Sequence, residues 1–372
     1  MEATKLKIPM IIMFIAIVMT GSAFGQIIYG QKSSGDLSLI YSYWKIDSSG
    51  SEKTLSQFSI PVGGFIPIED NFEARFYIGN AFNSLDMGND DYTLSGLGDL
   101  RVQFNRSFEN DRYLLSVGLN LPTGKKKLSS ADEKDIVSLL SSSYLTFPVR
   151  RLGQGFGINA MAGAATFWND IRAGFSAMYQ YNGSYDPYDD IADYKPGDFF
   201  TLAASADMRN REWFYLLSLA YTIYSNDKVD GDKIFKQSNN FDARLNATYS
   251  QKEIDYSGVV RMLLRGENSY YDALSNRLDE RLFGNEFSVF LSANYHPTGK
   301  WHLDPILEYT SIADNDRGDG SSSLFGFGGD YVTELSDKID LRLGAKYYIG
   351  SAAGGDLDIT GLQLSTSLMA AF

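Results

Sequence analysis

Residues 360–372 read TGLQLSTSLMAAF and separate into two sets. Leu362, Leu364, Thr366, Leu368, Ala370 and Phe372 share one parity; Gly361, Gln363, Ser365, Ser367 and Ala371 share the other. Only a β-strand, whose side chains alternate between two faces, sends those sets opposite ways. The alternation recurs upstream. Ile339, Leu341, Leu343, Ala345, Tyr347 and Ile349 interleave with Asp340, Arg342, Gly344, Lys346 and Tyr348, so one face is apolar and the other charged. Phe241, Leu245 and Tyr249 oppose Asp242, Arg244 and Thr248; Phe72 and Phe76 oppose Glu73 and Arg75. These runs last about ten to thirteen residues, longer than the five or six usual in soluble sheets and near what a tilted membrane strand needs.

Composition agrees with a lipid-facing surface. The chain has 372 residues with 24 Tyr and 24 Phe, more ring surface than one water-soluble core of this length requires. A membrane barrel places such rings near its two interfaces and leaves its inner face polar. A secreted β-sandwich would also alternate, but its second face is solvated and does not call for so many long paired strands. A formal charge of −13 offers a nucleic-acid backbone nothing to bind, so no nucleic-acid partner is expected. With no cysteine there is no disulfide framework, thiolate nucleophile or cysteine zinc site.

The first residues read as an address. Lys5 and Lys7 precede an apolar run, and Ala23-Phe24-Gly25 sets small residues at a cleavage site, so 1–25 is expected to be a signal peptide and 26–372 the barrel. A run of about twelve apolar residues falls short of the roughly 20 a membrane helix needs. Removal of 1–25 leaves 31 basic against 45 acidic side chains.

Connections alternate in length. Short turns near 109–111, 209–211, 251–252, 296–300 and 335–337 interleave with long acidic or glycine-rich loops at 80–96, 183–198, 225–238 and 267–283, the arrangement of outer-membrane barrels. Seventeen strands can be marked, whereas such barrels normally hold an even number. The stretches 137–145 and 155–166, with Ile171–Asn182, break the parity. The expectation is an all-β, antiparallel up-and-down transmembrane barrel of about 16 strands (12 to 18) in a Gram-negative outer membrane. Only about ten residues lie between the cleavage site and the first strand, so any constriction must come from a loop or side chains.

Two short stretches go beyond generic patterning: Ser95-Gly96-Leu97-Gly98-Asp99-Leu100 opens a strand and Leu119-Asn120-Leu121-Pro122-Thr123-Gly124 closes the next. The glycines permit tight backbone geometry, Asp99 can bond neighbouring backbone, and Pro122 donates no N–H to a ladder. Together they resemble the meta-pathway phenol-degradation family of outer-membrane transporters, itself distantly similar to long-chain fatty-acid channels. Tyr194-Lys195-Pro196-Gly197-Asp198 echoes it. The family-motif residues are Gly96, Gly98, Asp99, Pro122, Thr123 and Gly124. The resemblance implies uptake of hydrophobic or aromatic small molecules. The chain departs from the fatty-acid channels in lacking room for their N-terminal hatch. Phe372, with apolar residues at every second preceding position, resembles the insertion signal read by the barrel-assembly machinery.

Other constellations are weak. Gly153-Gln154-Gly155-Phe156-Gly157 precedes no helical pattern and reads as a hairpin entry rather than a dinucleotide loop. His296 and His302 flank a turn without a carboxylate cluster. Asp314 to Gly320 begins like a calcium loop but has Asp319 at the sixth position and Phe325 at the twelfth. Glu73, Arg75, Arg101, Arg244, Arg261, Arg265, Asp340, Arg342 and Lys346 fall on the polar parity. On the lipid face each Arg or Lys would cost roughly 2 to 4 kcal/mol, so they are expected to line the lumen and set its selectivity. Tyr77, Tyr348 and Phe290 share that parity and would suit an aromatic solute. The expected function is an outer-membrane channel for passive uptake of small molecules, hydrophobic or aromatic ones included, through a loop-constricted polar lumen. The alternative is a structural or surface-interaction barrel whose lumen is closed by salt bridges. No catalysis, cofactor or metal is expected. The expected surroundings are outer-membrane lipid and lipopolysaccharide, and the barrel is expected as monomer or trimer.

Overall fold

The computed structural model describes residues 32–48, 50–88, 90–188, 191–271 and 276–372. The expected signal segment lies outside these residues. The strands are β1 (Ser34–Ser48), β2 (Ser51–Glu69), β3 (Phe72–Asp86), β4 (Asp91–Leu97 continued by Leu100–Phe108), β5 (Tyr113–Leu121), β6 (Gly157–Trp168), β7 (Ile171–Asn182) and β8 (Phe199–Asn210). They continue as β9 (Trp213–Tyr224), β10 (Asn240–Ser250), β11 (Ile254–Arg265), β12 (Glu286–Thr298), β13 (Trp301–Ile312), β14 (Ser322–Ser336), β15 (Ile339–Ala352) and β16 (Leu357–Ala371). Every consecutive pair is antiparallel, and β1 pairs with both β2 and β16, which closes the sheet. Sixteen strands therefore form a barrel with no free edge, the one sheet architecture that satisfies its backbone inside lipid.

The register fixes what faces where. Following Cα partners around the sheet, Leu39, Phe82, Leu115, Phe175, Leu217, Leu245, Leu291, Leu307, Leu343 and Leu364 all point outward and are exposed. Outward aromatic residues gather near both ends. Trp213 stacks on Tyr215 and touches Tyr249, and Trp301 bridges Tyr295 and Tyr331, on the side of the termini. Phe325, Phe327 and Tyr347 form a second group further up. From Trp213 to Tyr221 the strand rises about 27 Å, or about 20 Å along the membrane normal at the usual tilt. Between these girdles no outward position of the strands is charged. An apolar belt with aromatic borders on a closed sheet is an outer-membrane barrel.

All connections on the side of the termini are tight turns; left-handed backbone at Glu109, Asn110, Asp111, Asn169 and Arg211 reverses the chain within a few residues. The opposite side carries 122–156, 183–198, 225–239, 266–285 and 313–321.

Three expectations change. The segment 137–145 is not a strand: it lies in α1 (Ala131–Ser141) and the stretch after it, which removes the seventeenth strand. The supposed loop 80–96 is mostly strand, because β3 and β4 extend above the lipid zone. The loops at 183–198, 225–239 and 266–285 contribute Tyr194–Lys195, Asn226–Val229, Asp232–Lys236, Asn268–Tyr271 and Arg277–Glu280 to a separate five-stranded antiparallel sheet at the outer mouth.

Candidate functional site

The connection 122–156 does not extend outward. Its apolar residues Leu128, Ile136, Leu140, Leu145, Phe147, Val149 and Leu152 are buried against inward-facing Trp44, Leu55, Ala81, Leu85, Leu94, Tyr348 and Ile359 of the wall. The chain's main apolar core thus lies inside the barrel, between an inserted loop and β1–β4 with β14–β16. Each fully buried aliphatic side chain contributes up to about 1.5–3 kcal/mol.

Within the loop, α1 starts at a variant of the capping box in which the acid reaches one residue before the N-cap. Ser130 is the N-cap and its Oγ accepts the Glu133 N–H at 3.2 Å, while Glu133 Oε2 accepts the Ser129 N–H at 2.7 Å. Burial would raise the Glu133 pKa, but the Lys125 ammonium at 2.6 Å and the Ser129 N–H outweigh it and hold the carboxyl below its ordinary value. After α1 the chain follows the wall through a series of bends. Gln57, buried on β2, donates to Val149 O at 2.7 Å and accepts the Val149 N–H at 3.1 Å. The Trp44 indole donates to Thr146 O at 3.3 Å.

Both ends of the loop cross at β4. There the register gains one residue, Asn80 facing Leu97 but Tyr77 facing Arg101, so Gly98 and Asp99 form a bulge. The Asp99 carboxylate accepts the N–H groups of Gly124 at 2.9 Å and Gln154 at 2.7 Å, and the Asn120 side-chain amide at 2.9 Å. Asp99 N–H donates to Leu152 O at 3.0 Å, and Lys125 N–H to Leu97 O at 2.9 Å. Thr123 Oγ1 accepts the Leu100 N–H at 2.9 Å. A Cβ on Gly124 would stand 2.7 Å from Leu152 O, and one on Gly98 3.1 Å from Gly79 O. The motif residues Gly96, Gly98, Asp99, Pro122, Thr123 and Gly124 therefore converge on the neck of the inserted loop.

The nine charges picked out in the sequence sit on the inward parity but do not form one group. Arg244 and Arg261 share Asp242, at 3.1 and 2.8 Å, and Arg261 and Arg265 share Glu286, at 3.0 and 3.1 Å. Glu73 binds Arg75 at 2.7 Å and accepts the Asn105 amide at 2.8 Å. Lys346 pairs with Glu308. Arg342 sits in register among Asp330, Glu334 and Asp340 near the periplasmic mouth. Arg101 faces Tyr77 and has no carboxylate within 4 Å among the described residues. The charges thus pair along the wall instead of facing each other across the lumen. Tyr348 packs under the inserted loop against Trp44 at 5.0 Å and offers no surface to a solute.

Below the loop, on the side it leaves free, the lumen holds a cavity of about 1210 Å³ bounded by β4–β12. Its wall mixes Phe214, Leu216, Met161 and Phe290 with small residues such as Ser205 and Ser218, and Arg172 and Asp207, cross-strand neighbours on that wall, pair at 2.7 Å.

Of the other motifs, the carboxylates of the 314–320 loop are already engaged: Asp314 accepts the Gly320 N–H at 2.7 Å, Asp316 the Arg281 N–H at 2.7 Å and Asp319 the Asn315 side-chain amide at 2.8 Å. His296 and His302 each lie beside an aspartate, Asp255 at 3.3 Å and Asp304 at 3.5 Å. Among the described residues no three metal-ligating side chains gather.

No protein-family model matches the chain, and no curated protein matches it in sequence. Among solved structures it is similar to an anion-selective porin from Comamonas acidovorans, at 15% identity over 93% of this chain and 100% of that one, TM-score 0.41. It is similar to the CymD monoaromatic hydrocarbon channel at 11% identity, over 92% and 89% of the two chains, TM-score 0.44. A Pseudomonas aeruginosa FadL homologue matches at 10% identity, over 92% and 90%, TM-score 0.46. Likenesses this distant say nothing about what crosses the barrel, and the barrel assignment rests on its own register.

Proposed function

We propose that the protein is a non-enzymatic outer-membrane channel for passive entry of small molecules, hydrophobic and aromatic ones included, through a lumen narrowed by residues 122–156. The observation that carries this reading is the inserted loop. It is hooked at Asp99 and Gln57 and covers one wall, while a cavity of about 1210 Å³ stays open on the other. A barrel filled only to stiffen it would have no use for a cavity lined by both rings and hydroxyls. The neck residues are the ones that resemble the phenol-degradation transporters, and the solutes that resemblance implies, hydrophobic or aromatic small molecules, suit a cavity lined by rings and hydroxyls.

The alternative, a closed barrel presenting the outer five-stranded sheet to a partner, draws on the ion pairs of β10–β12 and the ordering of the loops. Liposome swelling separates the two. Vesicles containing the protein should admit small uncharged aromatics and exclude larger sugars. Vesicles with verified folded barrels that admit neither would replace the channel reading with the closed one.

A further inference from the structure

The inserted loop is basic in an acidic protein: residues 122–156 hold six Lys or Arg against three Asp or Glu. The part after α1 divides its side chains between the wall and the lumen. Leu145, Phe147 and Val149 are buried on the wall, whereas Arg150 and Arg151 are exposed. The segment is pinned to the wall through Gln57 before them and through Asp99 after them, so these two side chains are carried across the narrowed lumen. The height is that of Gly79 and Gly98, because a Cβ on Gly98 would lie 3.9 Å from Arg151 O. Arg101 stands three residues further along β4 on the same inward face.

These three guanidinium groups differ from the arginines that pair with acids along the wall. Arg75, Arg244, Arg261 and Arg265 each have a carboxylate within 3.1 Å. Among the described residues Arg101, Arg150 and Arg151 have none within 4 Å, and Arg150 donates instead to its own loop at Leu145 O, 3.0 Å. The acids near them are engaged. Glu286 is held by Arg261 and Arg265, Asp99 by two backbone N–H groups and Asn120, and Asp36 by the Ser38 hydroxyl. Enclosure in the barrel lowers the Arg150 pKa from its ordinary value, with Glu286 working against the shift. The narrowing therefore holds a net positive charge that is short of counter-ions. Guanidinium groups without a protein counter-ion bind carboxylates in a bidentate fork.

We infer that Arg101, Arg150 and Arg151 make this constriction anion-selective and that the solute class is small organic anions, aromatic carboxylates above all. The arginines would take the carboxylate, and the cavity with Phe214 and Phe290 would take the ring. The inference rests on the channel reading, and one experiment tells their failures apart. Protein from outer membranes is placed in planar bilayers under a potassium chloride gradient and then with potassium benzoate on one side. Wild type should conduct, prefer chloride over potassium and admit benzoate. Arg150→Ala/Arg151→Ala should conduct with chloride preference lost or inverted, Arg101→Ala should weaken it, and Arg150→Lys/Arg151→Lys should keep its sign. A conducting wild type that prefers potassium, or a preference unmoved by the double variant, overturns the inference and leaves the channel. Silence from barrels that shift mobility on boiling removes the channel and the inference with it. Neither residue belongs to the hydrogen-bonded ladder of the barrel, so the double variant is expected to fold, which the same mobility shift checks.

Discussion

Asp99 shows how far a single residue can be read. Its chemistry, a short acid among glycines bonding backbone, is legible in the sequence; its partners are not, because they lie 25 and 55 residues away on either end of an inserted loop. The same holds for Gln57, an unremarkable inward residue of an alternating strand until Val149 lies beside it, 92 positions on. Asp99→Ala leaves two backbone N–H groups without an acceptor, at a cost of about 1–3 kcal/mol each if they stay dry. Hydrogen exchange at Gly124 and Gln154 should accelerate while the barrel strands stay protected. Equal acceleration in β14–β16 would mean that Asp99 holds the barrel and not the loop. Gly124→Ala should act in the same direction, because its new methyl meets Leu152 O at 2.7 Å.

At the scale of elements, alternation located the strands wherever one face meets lipid and failed where neither does. In the upper parts of β1–β4 the pattern inverts: Lys45, Glu52, Ser84 and Asp86 point outward into water, while Trp44, Leu55, Leu85 and Leu94 point inward onto the loop. A reader expecting apolar-out takes that stretch for a loop. The helix α1 hid for another reason, since its short apolar run around Ile136 and Leu140 suits either period, although Ser130 and Glu133 already carried a capping signature. The hairpin of the outer sheet was marked by Asp230-Gly231, both with positive φ. Two predictions belong here. Leu245→Arg, outward at the middle of β10, should destabilise the folded barrel in lipid by about 2–4 kcal/mol, whereas inward Asn246→Arg should cost far less; urea titrations followed by boiled and unboiled mobility measure both, and equal costs would refute the parity. For α1, the Glu133 carboxyl is held low in the folded state, so its stabilising effect is complete above the unfolded value and fades as pH falls through the folded one. Exchange protection of α1 should therefore drop in acid below about pH 4, and Glu133→Gln should start lower and lose the pH dependence.

For the whole molecule the decisive fact is that closure and constriction are separate. The hydrogen-bonded ladder from β1 to β16 closes without any residue of 122–156, whereas the loop contributes packing to one wall only. The barrel is also the hard part to unfold, because every ladder must break together and each freed backbone group in lipid costs several kcal/mol. Replacing 127–150 by a short Gly/Ser link that keeps the Asp99 neck should therefore leave a barrel that still inserts and still shifts mobility on boiling. It exposes Trp44, Leu55, Leu85 and Leu94 to the lumen, so a loss of several kcal/mol in stability is expected from the about 1.5–3 kcal/mol that each large buried side chain contributes. Conductance should rise severalfold, because the wall the loop covers becomes open cross-section, and charge preference should weaken as Arg150 leaves and Arg151 loses its Gln57 anchor. A folded variant with unchanged conductance would place the narrowest point elsewhere, at the outer five-stranded sheet. Opening that sheet by Tyr194→Phe, which removes the 2.7 Å bond to Asp227, should then raise the current where loop excision did not.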